Sequence, residues 1–335
     1  MTGAMMKAIR LHGHGGPEVL TYESVPVPQP AAGEVVIRTR ATGVNFADTI
    51  RRRGGTYAVP TPLPYLLGGE AVGIVEAVGE GADPGLVGRR VLVFPGQGSY
   101  AEFVAAPEIR VYPLPDTLPD AEALALFVQG LTAALILKKH VRMDKSDTVL
   151  VQAAAGGVGS IAIQLARHYG AAKVIGCASS EEKRALVLSL GADAAVDYSR
   201  AGWGEEVRTL TGGKGVDVVM EVTGGEVAAT SFALLKTFGR VCAYGLTSED
   251  RWQIDTQNLC PKCAFVSGFW LRQYLDDKPL ILAELDELAR LVASGALKIQ
   301  IGGRFRLSDA VSAHQALETR ASMGKLILVP DALFS

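Results

Sequence analysis

Apolar residues in the first third of the chain occur in short runs that alternate with polar positions and end at glycine or proline. Between Met6 and about Asp116 these runs include VVIRTRATGV, GGEAVGIVEAVGEGA, RRVLVF and SYAEFVAA. A period of two with frequent turn residues is typical of half-buried strands. The pattern predicts an all-β unit of the barrel or sandwich kind, with one helix near residues 46–53.

The pattern changes after Pro119, where short apolar strands alternate with longer helical segments. A helix is predicted over 122–137, and Gly170 and Gly191 stand where helix C-caps belong. The strands are predicted at 149–153, 173–177, 194–196, 216–222 and 239–244, and the helices near 158–169, 181–190, 205–210 and 227–236. This alternation predicts an α/β domain with a doubly wound parallel sheet covered by helices on both faces.

The last part of the chain no longer alternates between strand and helix. A strand at 264–269 and a helix at about 280–293 are followed by extended pieces around 299–305 and 326–329 with a helix between them. The simplest interpretation is that the tail returns to complete the first domain. The sequence therefore predicts a first domain of residues 1–122, completed by 270–335, and a dinucleotide-binding domain of residues 123–269.

Composition excludes several classes of protein. The 33 basic side chains nearly balance the 35 acidic ones, so a nucleic-acid partner is not expected, and the run Arg51-Arg52-Arg53 is interpreted as a solvated helix face. No apolar segment follows the basic N-terminal residues, which predicts a cytoplasmic protein without membrane attachment. Four cysteines are too few for a disulfide framework. Cys260 and Cys263 have redox or metal spacing, but no histidine lies near them in sequence and structural thiols are commoner.

A glycine-rich turn at residues 149–166, VLVQAAAGGVGSIAIQLA, joins a predicted strand to a predicted helix. Glycines let the backbone approach phosphates, and the helix N-terminus offers N–H groups and a positive dipole end. A bare glycine pattern is a weak motif, and the uncharged length also fits a membrane span, but the βαβ surroundings favour dinucleotide binding. Gly156, Gly157 and Val158 are predicted to contact the pyrophosphate.

The end of the second strand indicates which nucleotide is bound. In an NAD site a carboxylate there accepts the ribose hydroxyls, whereas this strand ends at Ser179-Ser180. Glu181 and Glu182 fall in the first turn of the next helix, where acids favour the helix dipole. Ser179, Ser180 and Lys183 suit a 2′-phosphate, so the sequence predicts NADPH. The alternative is that Lys183 is an ordinary solvated helix residue.

Several motifs together resemble the zinc-independent quinone oxidoreductases of the medium-chain dehydrogenase/reductase superfamily. The resemblance covers nearly the whole chain and is carried by HGGPEVL (14–20), GVNFADT (43–49), GGEAVGIVEAVG (68–79), GLTA (130–133), AAAGGVG (153–159), ASSEEK (178–183), VDVVMEVTGG (216–225) and GKLIL (324–328). It implies a GroES-like β-barrel catalytic domain, a Rossmann domain and an NADPH-dependent reductase, usually dimeric.

The resemblance also implies roles for residues outside the glycine turn. It implies that Tyr198 lies beside the adenine and that a further group surrounds the nicotinamide, namely Phe46, Asp48, Thr49, Thr132, Gly245, Leu246 and Phe269. Arg320 aligns with a cofactor-contacting arginine and Lys325 is a weaker candidate, the alternative for both being an ordinary surface cation.

The substrate side is expected to work without a metal. Zinc-dependent relatives have a cysteine ligand where this chain has Asn45 and a histidine where it has Gly69, and neither replacement binds zinc in such a site. Glu70 is then a structural acid. Asn45 occupies the former ligand position, and Tyr57 can donate a hydrogen bond to a quinone or stack on it, or else pack as a turn tyrosine.

Three functions remain open from the sequence. The first is reduction of a quinone by NADPH, and the second is reduction of an α,β-unsaturated carbonyl, either an enone or an enoyl-CoA. For an acyl-CoA, the arginines at 51–53 would supply a basic entrance. The third is a binding protein, as in crystallin and RNA-binding relatives, against which the balanced charge argues. The apolar strand at 264–269 is expected at a sheet edge, where pairing with a second copy would form a homodimer.

Overall fold

The computed structural model describes residues 4–55, 57–245, 247 and 250–334, and the chain divides into two compact units. Unit 1 comprises Met1–Val128, Leu275–Leu282 and Ile301–Ser335, and unit 2 comprises Gln129–Tyr274 and Ala283–Gln300. The boundaries differ from the predicted ones, because residues 123–128 lie in unit 1 and residues 270–274 and 283–300 lie in unit 2. Within unit 2, Lys138 binds Glu284 at 2.9 Å and Gln164 exchanges two hydrogen bonds with the Lys298 backbone, which holds residues 283–300 there.

The described strands and helices follow the sequence patterns closely. The strands are β1 (Met5–Leu11), β2 (Leu20–Pro26), β3 (Glu34–Val44), β4 (Tyr65–Leu66), β5 (Ala71–Val78), β6 (Arg90–Val93), β7 (Phe103–Pro107), β8 (Val111–Pro113), β9 (Thr148–Val151), β10 (Lys173–Cys177), β11 (Ala194–Val196), β12 (Val216–Glu221), β13 (Leu235–Ala243), β14 (Phe265–Gly268), β15 (Ile301–Arg306) and β16 (Lys325–Val329). The α-helices are α1 (Phe46–Arg53), α2 (Asp120–Ala125), α3 (Leu131–Leu135), α4 (Gly157–His168), α5 (Glu181–Ser189), α6 (Trp203–Leu210), α7 (Gly225–Ala233), α8 (Lys278–Ala293) and α9 (Ala310–Glu318).

Unit 1 is built from two sheets, which confirms the GroES-like β architecture. One sheet has the order β2-β1-β4, and the other has the order β15-β16-β3-β5-β6-β8 with β7 also paired to β3. Strand β3 is the centre of the larger sheet, because it pairs antiparallel with β16, β5 and β7. The tail strand β16 therefore lies beside the end of β3 that leads into helix α1.

Unit 2 is a doubly wound parallel sheet, as predicted. Its strand order is β11-β10-β9-β12-β13-β14. The first strand of the unit, β9, is in the middle, and the chain adds strands first on one side of it and then on the other. In such a sheet, ligands bind at the carboxyl ends of the strands where the order reverses. Gly170 and Gly191 follow α4 and α5 with φ of 92° and 100°, so both occupy the left-handed C-cap position that was predicted.

Among the described residues, one helical segment has the length and hydropathy of a membrane span. It is Asp120–His140, in which π-helical turns alternate with α2 and α3. Of its most apolar 18-residue window, 83% is buried inside the protein. Burial of this extent is typical of a core helix, and apolar core packing explains its composition.

Candidate active site

The glycine turn lies between β9 and α4 and is kept free of side chains by close backbone contacts. A Cβ on Gly159 would lie 2.4 Å from the Ala153 carbonyl oxygen and 2.7 Å from the Ala154 Cα, so only glycine fits. A Cβ on Gly157 would lie 2.9 Å from the Gln129 side chain. Gly156 caps α4 without a side-chain hydrogen bond, so the first-turn N–H groups keep the anion-binding arrangement of a helix N-terminus. Residues 156–158 therefore fit a pyrophosphate.

The residues predicted for the 2′-phosphate and the adenine all follow the carboxyl ends of neighbouring strands of the sheet. Strands β10 and β11 are parallel neighbours with Cys177 opposite Val196, so Ser179, Ser180 and Tyr198 follow the carboxyl ends of adjacent strands. Ser180 caps α5, its Oγ accepting a hydrogen bond from the Lys183 backbone N–H at 3.3 Å. No carboxylate stands at the tip of β10, which is the arrangement that tolerates a phosphate.

Of the residues expected near the nicotinamide in unit 2, Phe269 and Thr132 are buried and Gly245 is exposed. Phe269 follows β14, is buried, and stacks on Tyr274 with ring centroids 5.4 Å apart. Gly245 follows β13, the neighbouring parallel strand, at the same edge of the sheet. Thr132 is buried in α3. Leu246, which was also predicted, lies outside the described residues.

In unit 1, Asn45 is held by two fully buried charged groups. Its Nδ2 donates to Glu70 Oε1 at 2.8 Å, and Lys325 Nζ donates to Asn45 Oδ1 at 3.0 Å. Lys325 Nζ and Glu70 Oε1 lie 2.5 Å apart, and both side chains are 0% exposed. Lys325 is therefore an internal cation, not a surface one.

Asp48 connects the start of α1 to a second group of buried polar residues. Its Oδ2 accepts hydrogen bonds from the Asn45 backbone N–H at 2.9 Å and from the Tyr100 hydroxyl at 3.1 Å. Burial raises the pKa of Asp48 to about 6, against the lowering effect of these bonds and of Lys325. The Tyr100 hydroxyl also lies 3.3 Å from His314 Nε2, and burial lowers the pKa of His314 to about 3, so the imidazole is neutral.

The other predicted residues of unit 1 lie in different settings. Thr49 is fully buried and its hydroxyl donates to the Phe46 carbonyl at 2.8 Å. Phe46 is half-buried at the start of α1, next to Asn45 in the chain. Tyr57 is half-buried with its ring 5.1 Å from the Arg51 guanidinium carbon. Arg320 is exposed just after α9, with φ of 56°.

The interpretation of the arginine run as a solvated helix face is wrong for Arg51 and Arg52, whereas Arg53 is exposed. Arg51 is 7% exposed and Arg52 is 0% exposed. Arg51 donates to the carbonyls of Pro60 and Gly96, and Arg52 donates to Glu318 at 2.5 Å. Arg51 and Arg52, buried and bonded in this way, cannot form a basic entrance for the phosphates of an acyl-CoA, and Arg53 is the exposed member of the run.

The free cysteines divide into buried and exposed pairs. Cys177 and Cys242 are buried in the sheet of unit 2, whereas Cys260 and Cys263 are exposed on a short 3₁₀ turn before β14. Within the described residues, no three His, Cys, Asp or Glu side chains are grouped closely enough to hold a metal ion.

Sequence reasoning missed the connections between Asn45, Glu70, Lys325, Tyr100 and His314. One signal was available: Lys325 begins an otherwise apolar strand, KLILV, and a charged residue in such a strand is rarely buried without a partner. The partner was not visible, because Glu70 lies 255 residues earlier in the chain.

Comparison with known proteins places this architecture in a family. Residues 31–116 match the alcohol dehydrogenase GroES-like domain, and residues 157–290 match the zinc-binding dehydrogenase domain. The chain is 34% identical to a 2-haloacrylate reductase of Burkholderia sp. (98% of this chain, 100% of the relative) and 36% identical to a quinone oxidoreductase of Pseudomonas aeruginosa (97% and 100%). The solved structure of Escherichia coli quinone oxidoreductase complexed with NADPH is similar with a TM-score of 0.91 at 33% identity, covering 98% of this chain and 100% of that one. The chain belongs to the quinone oxidoreductase family of the medium-chain dehydrogenase/reductase superfamily.

Proposed function

We propose that this protein is an NADPH-dependent quinone oxidoreductase that transfers hydride without a metal. The observation that carries the proposal is the similarity to a quinone oxidoreductase complexed with NADPH over 98% of the chain. The glycine turn and the Ser179–Ser180 edge support it independently, because they fit a dinucleotide with a 2′-phosphate.

The cofactor would be held mainly by unit 2. Gly156, Gly157 and Val158 bind the pyrophosphate through backbone N–H groups, and Ser179, Ser180 and Lys183 bind the 2′-phosphate. Tyr198 contacts the adenine, and the nicotinamide is surrounded by the remaining set, Thr132, Gly245, Leu246, Phe269, Phe46, Asp48 and Thr49, with Arg320 as a further contact. When bound, NADPH supplies the hydride at C4 of the nicotinamide.

Asn45 and Tyr57 would act on the substrate. The net reaction takes a quinone, NADPH and one proton to a hydroquinone and NADP⁺, so negative charge develops on a quinone oxygen as hydride arrives. A donor aimed at that oxygen stabilises the charge, and the Asn45 amide is suited to the task. The Tyr57 phenol can donate to the second carbonyl or stack on the ring. A quinone is already electrophilic, so protonation from solvent completes the reaction.

The residues around Asn45 favour this metal-free chemistry. The Lys325 ammonium is bonded to both Glu70 and Asn45, and it would repel a second cation placed beside them. An amide and the Gly69 backbone also lack the thiolate and imidazole donors that zinc selects.

A substrate panel tests the proposal. Initial rates of NADPH oxidation are measured with quinones, with simple enones and 2-haloacrylate, and with enoyl-CoAs. We expect kcat/KM to be highest for a quinone, and NADH to be a poorer donor. The 34% identity to a 2-haloacrylate reductase makes the conjugated acid the second candidate. A higher kcat/KM for the enone or haloacrylate would replace the proposal, and an equal or better rate with NADH would contradict the cofactor assignment.

We also propose a cytoplasmic homodimer formed through β14. This strand ends the parallel sheet of unit 2, and its residues Phe265 and Val266 are 61% and 36% exposed. An apolar edge strand of this kind is covered when a second copy pairs with it. Light scattering after size exclusion is expected to give twice the mass of one chain. Val266→Lys is expected to give the monomer, and a monomeric parent protein would contradict the proposal.

A further inference from the structure

The buried charges of Lys325 and Glu70 both contact the side-chain amide of Asn45. Lys325 Nζ lies 2.5 Å from Glu70 Oε1, 3.0 Å from Asn45 Oδ1 and 3.4 Å from the Val44 carbonyl oxygen. These contacts account for the three protons of an ammonium. Lys325 is therefore saturated by protein acceptors and holds the loop between β3 and α1.

The chain leaves space for this pair at Gly43. A Cβ there would lie 2.3 Å from Glu70 Oε1 and 2.6 Å from Lys325 Nζ, closer than either atom tolerates. Gly43 is in the interior of β3, where glycine weakens a strand. The close approach of the Glu70 and Lys325 side chains to β3 explains why a glycine occupies position 43.

The two charges give the Asn45 amide one orientation. A rotated amide would turn its N–H groups toward the ammonium and its oxygen toward the carboxylate, and both contacts would become repulsive. The backbone of the same residue is fixed separately by the bond from its N–H to Asp48. Glu70 and Lys325, from two distant parts of the chain, therefore set the direction of both Nδ2 hydrogens, one of which Glu70 accepts.

We propose that Lys325 and Glu70 are positioning residues, which orient the Asn45 amide as the hydrogen-bond donor to the substrate oxygen. The proposal rests on the proposed function, in which Asn45 stabilises the developing oxyanion. Neither Lys325 nor Glu70 needs to contact the substrate. Lys325 and Glu70 are expected to affect kcat through the direction of the Asn45 amide, because a preorganised dipole stabilises the transition state without reorganising.

A structural role alone predicts a different result. Two buried charges are costly to remove from water, and a buried ion pair replaced by apolar residues of similar size often leaves stability unchanged or higher. If the pair served stability, its apolar replacement would keep kcat. If the pair orients Asn45, the replacement retains the fold and loses kcat.

The test is a double-mutant cycle between the pair and Asn45. Lys325→Met/Glu70→Met, Asn45→Ala and the triple variant are compared with the parent protein for kcat and KM with the best quinone. Circular dichroism and NADPH affinity, measured by nucleotide fluorescence, establish folding and cofactor binding. We expect the pair variant to lose kcat by about tenfold or more with NADPH affinity retained, and to cause no further loss when Asn45 is already alanine.

One further variant with two controls keeps the test decisive if the pair variant does not fold. Gly43→Ala retains both charges but displaces them, and it is expected to lower kcat in the parent protein and not in the Asn45→Ala background. Gly13→Ala is the matched control, because its Cβ would meet nothing within 4 Å. Lys138→Met, which removes an ion pair in unit 2, is expected to leave kcat unchanged.

Three results would overturn the proposal. They are an unchanged kcat in the folded pair variant, equal fold-losses with and without Asn45, and an unchanged kcat in Asn45→Ala. The last result leaves the quinone reductase activity of the parent protein intact, so it separates a failure of this inference from a failure of the proposed function. The absence of quinone-dependent NADPH oxidation by the parent protein would instead overturn both.

Discussion

The functional residues proposed in unit 1 differ in kind from those proposed in unit 2. In unit 2 the proposed pyrophosphate site is made of backbone, namely a strand, a glycine turn and a helix N-terminus, all within residues 148–168. In unit 1 the site is a group of side chains, in which Lys325 and Asn45 lie 280 residues apart. A site built from backbone depends on local geometry, whereas a site built from buried charges depends on the whole fold of its unit. The two should therefore fail differently.

The largest expected effect is the loss of NADPH affinity when a side chain is added at the glycine turn. Gly159→Ala places a Cβ 2.4 Å from the Ala153 carbonyl oxygen, so strand and helix must separate at the turn. We expect NADPH affinity to fall by about a hundredfold, since an error of about 1 Å in a binding geometry has that effect. Fluorescence titration measures the affinity. Gly13→Ala is the control, because its Cβ would meet nothing within 4 Å. Retained NADPH affinity in Gly159→Ala would show that the turn is not the pyrophosphate site.

The buried charges of unit 1 predict an effect of pH on stability. Asp48 has a folded pKa of about 6 against an ordinary value of 3.8, so the free energy of unfolding falls as pH rises between these values, by up to about 3 kcal/mol. His314 has a folded pKa of about 3 against 6.5, so the free energy of unfolding falls as pH drops through that range. The two effects oppose each other between about pH 4 and 6.

Substituting either Asp48 or His314 leaves the pH dependence that the other residue causes. Asp48→Asn is expected to lose stability on acidification from pH 6 to pH 4 more steeply than the parent protein, and His314→Gln is expected to lose less. Urea denaturation at half-unit pH steps measures both slopes. Parallel pH profiles for Asp48→Asn and the parent protein would contradict the raised pKa of Asp48.

The smallest expected effect concerns Lys183, the side chain proposed to bind the 2′-phosphate. Lys183→Met is expected to weaken NADPH binding by about 1.5–3 kcal/mol, the range for a hydrogen bond to a charged group, while NADH binding stays unchanged. Lys214→Met, an exposed lysine of the same unit, is the control. Equal weakening of both nucleotides would indicate that Lys183 supports the helix and does not select the 2′-phosphate.

The comparison explains how far the sequence could be interpreted. The doubly wound sheet and the turn at Gly156–Gly159 were predictable, because apolar periodicity and glycine positions are local signals. The burial of Arg51 and Arg52 was not, because an arginine run has the same pattern whether its partners are water or the Pro60 carbonyl. Glu70 and Lys325 were both noticed in the sequence, but their ion pair requires β16 to lie beside β3, which no local signal gives.

Gly43 also constrains how this family member can be redesigned. A larger residue at 43 displaces Glu70 and Lys325, and loss of either charge alone leaves the other unpaired in the interior, which is strongly destabilising. Each single replacement therefore passes through an unfavourable intermediate. To install a different donor at position 45, residues 43, 70 and 325 should therefore be changed together. Directed evolution by single substitutions is expected not to reach such variants, because each intermediate is destabilised.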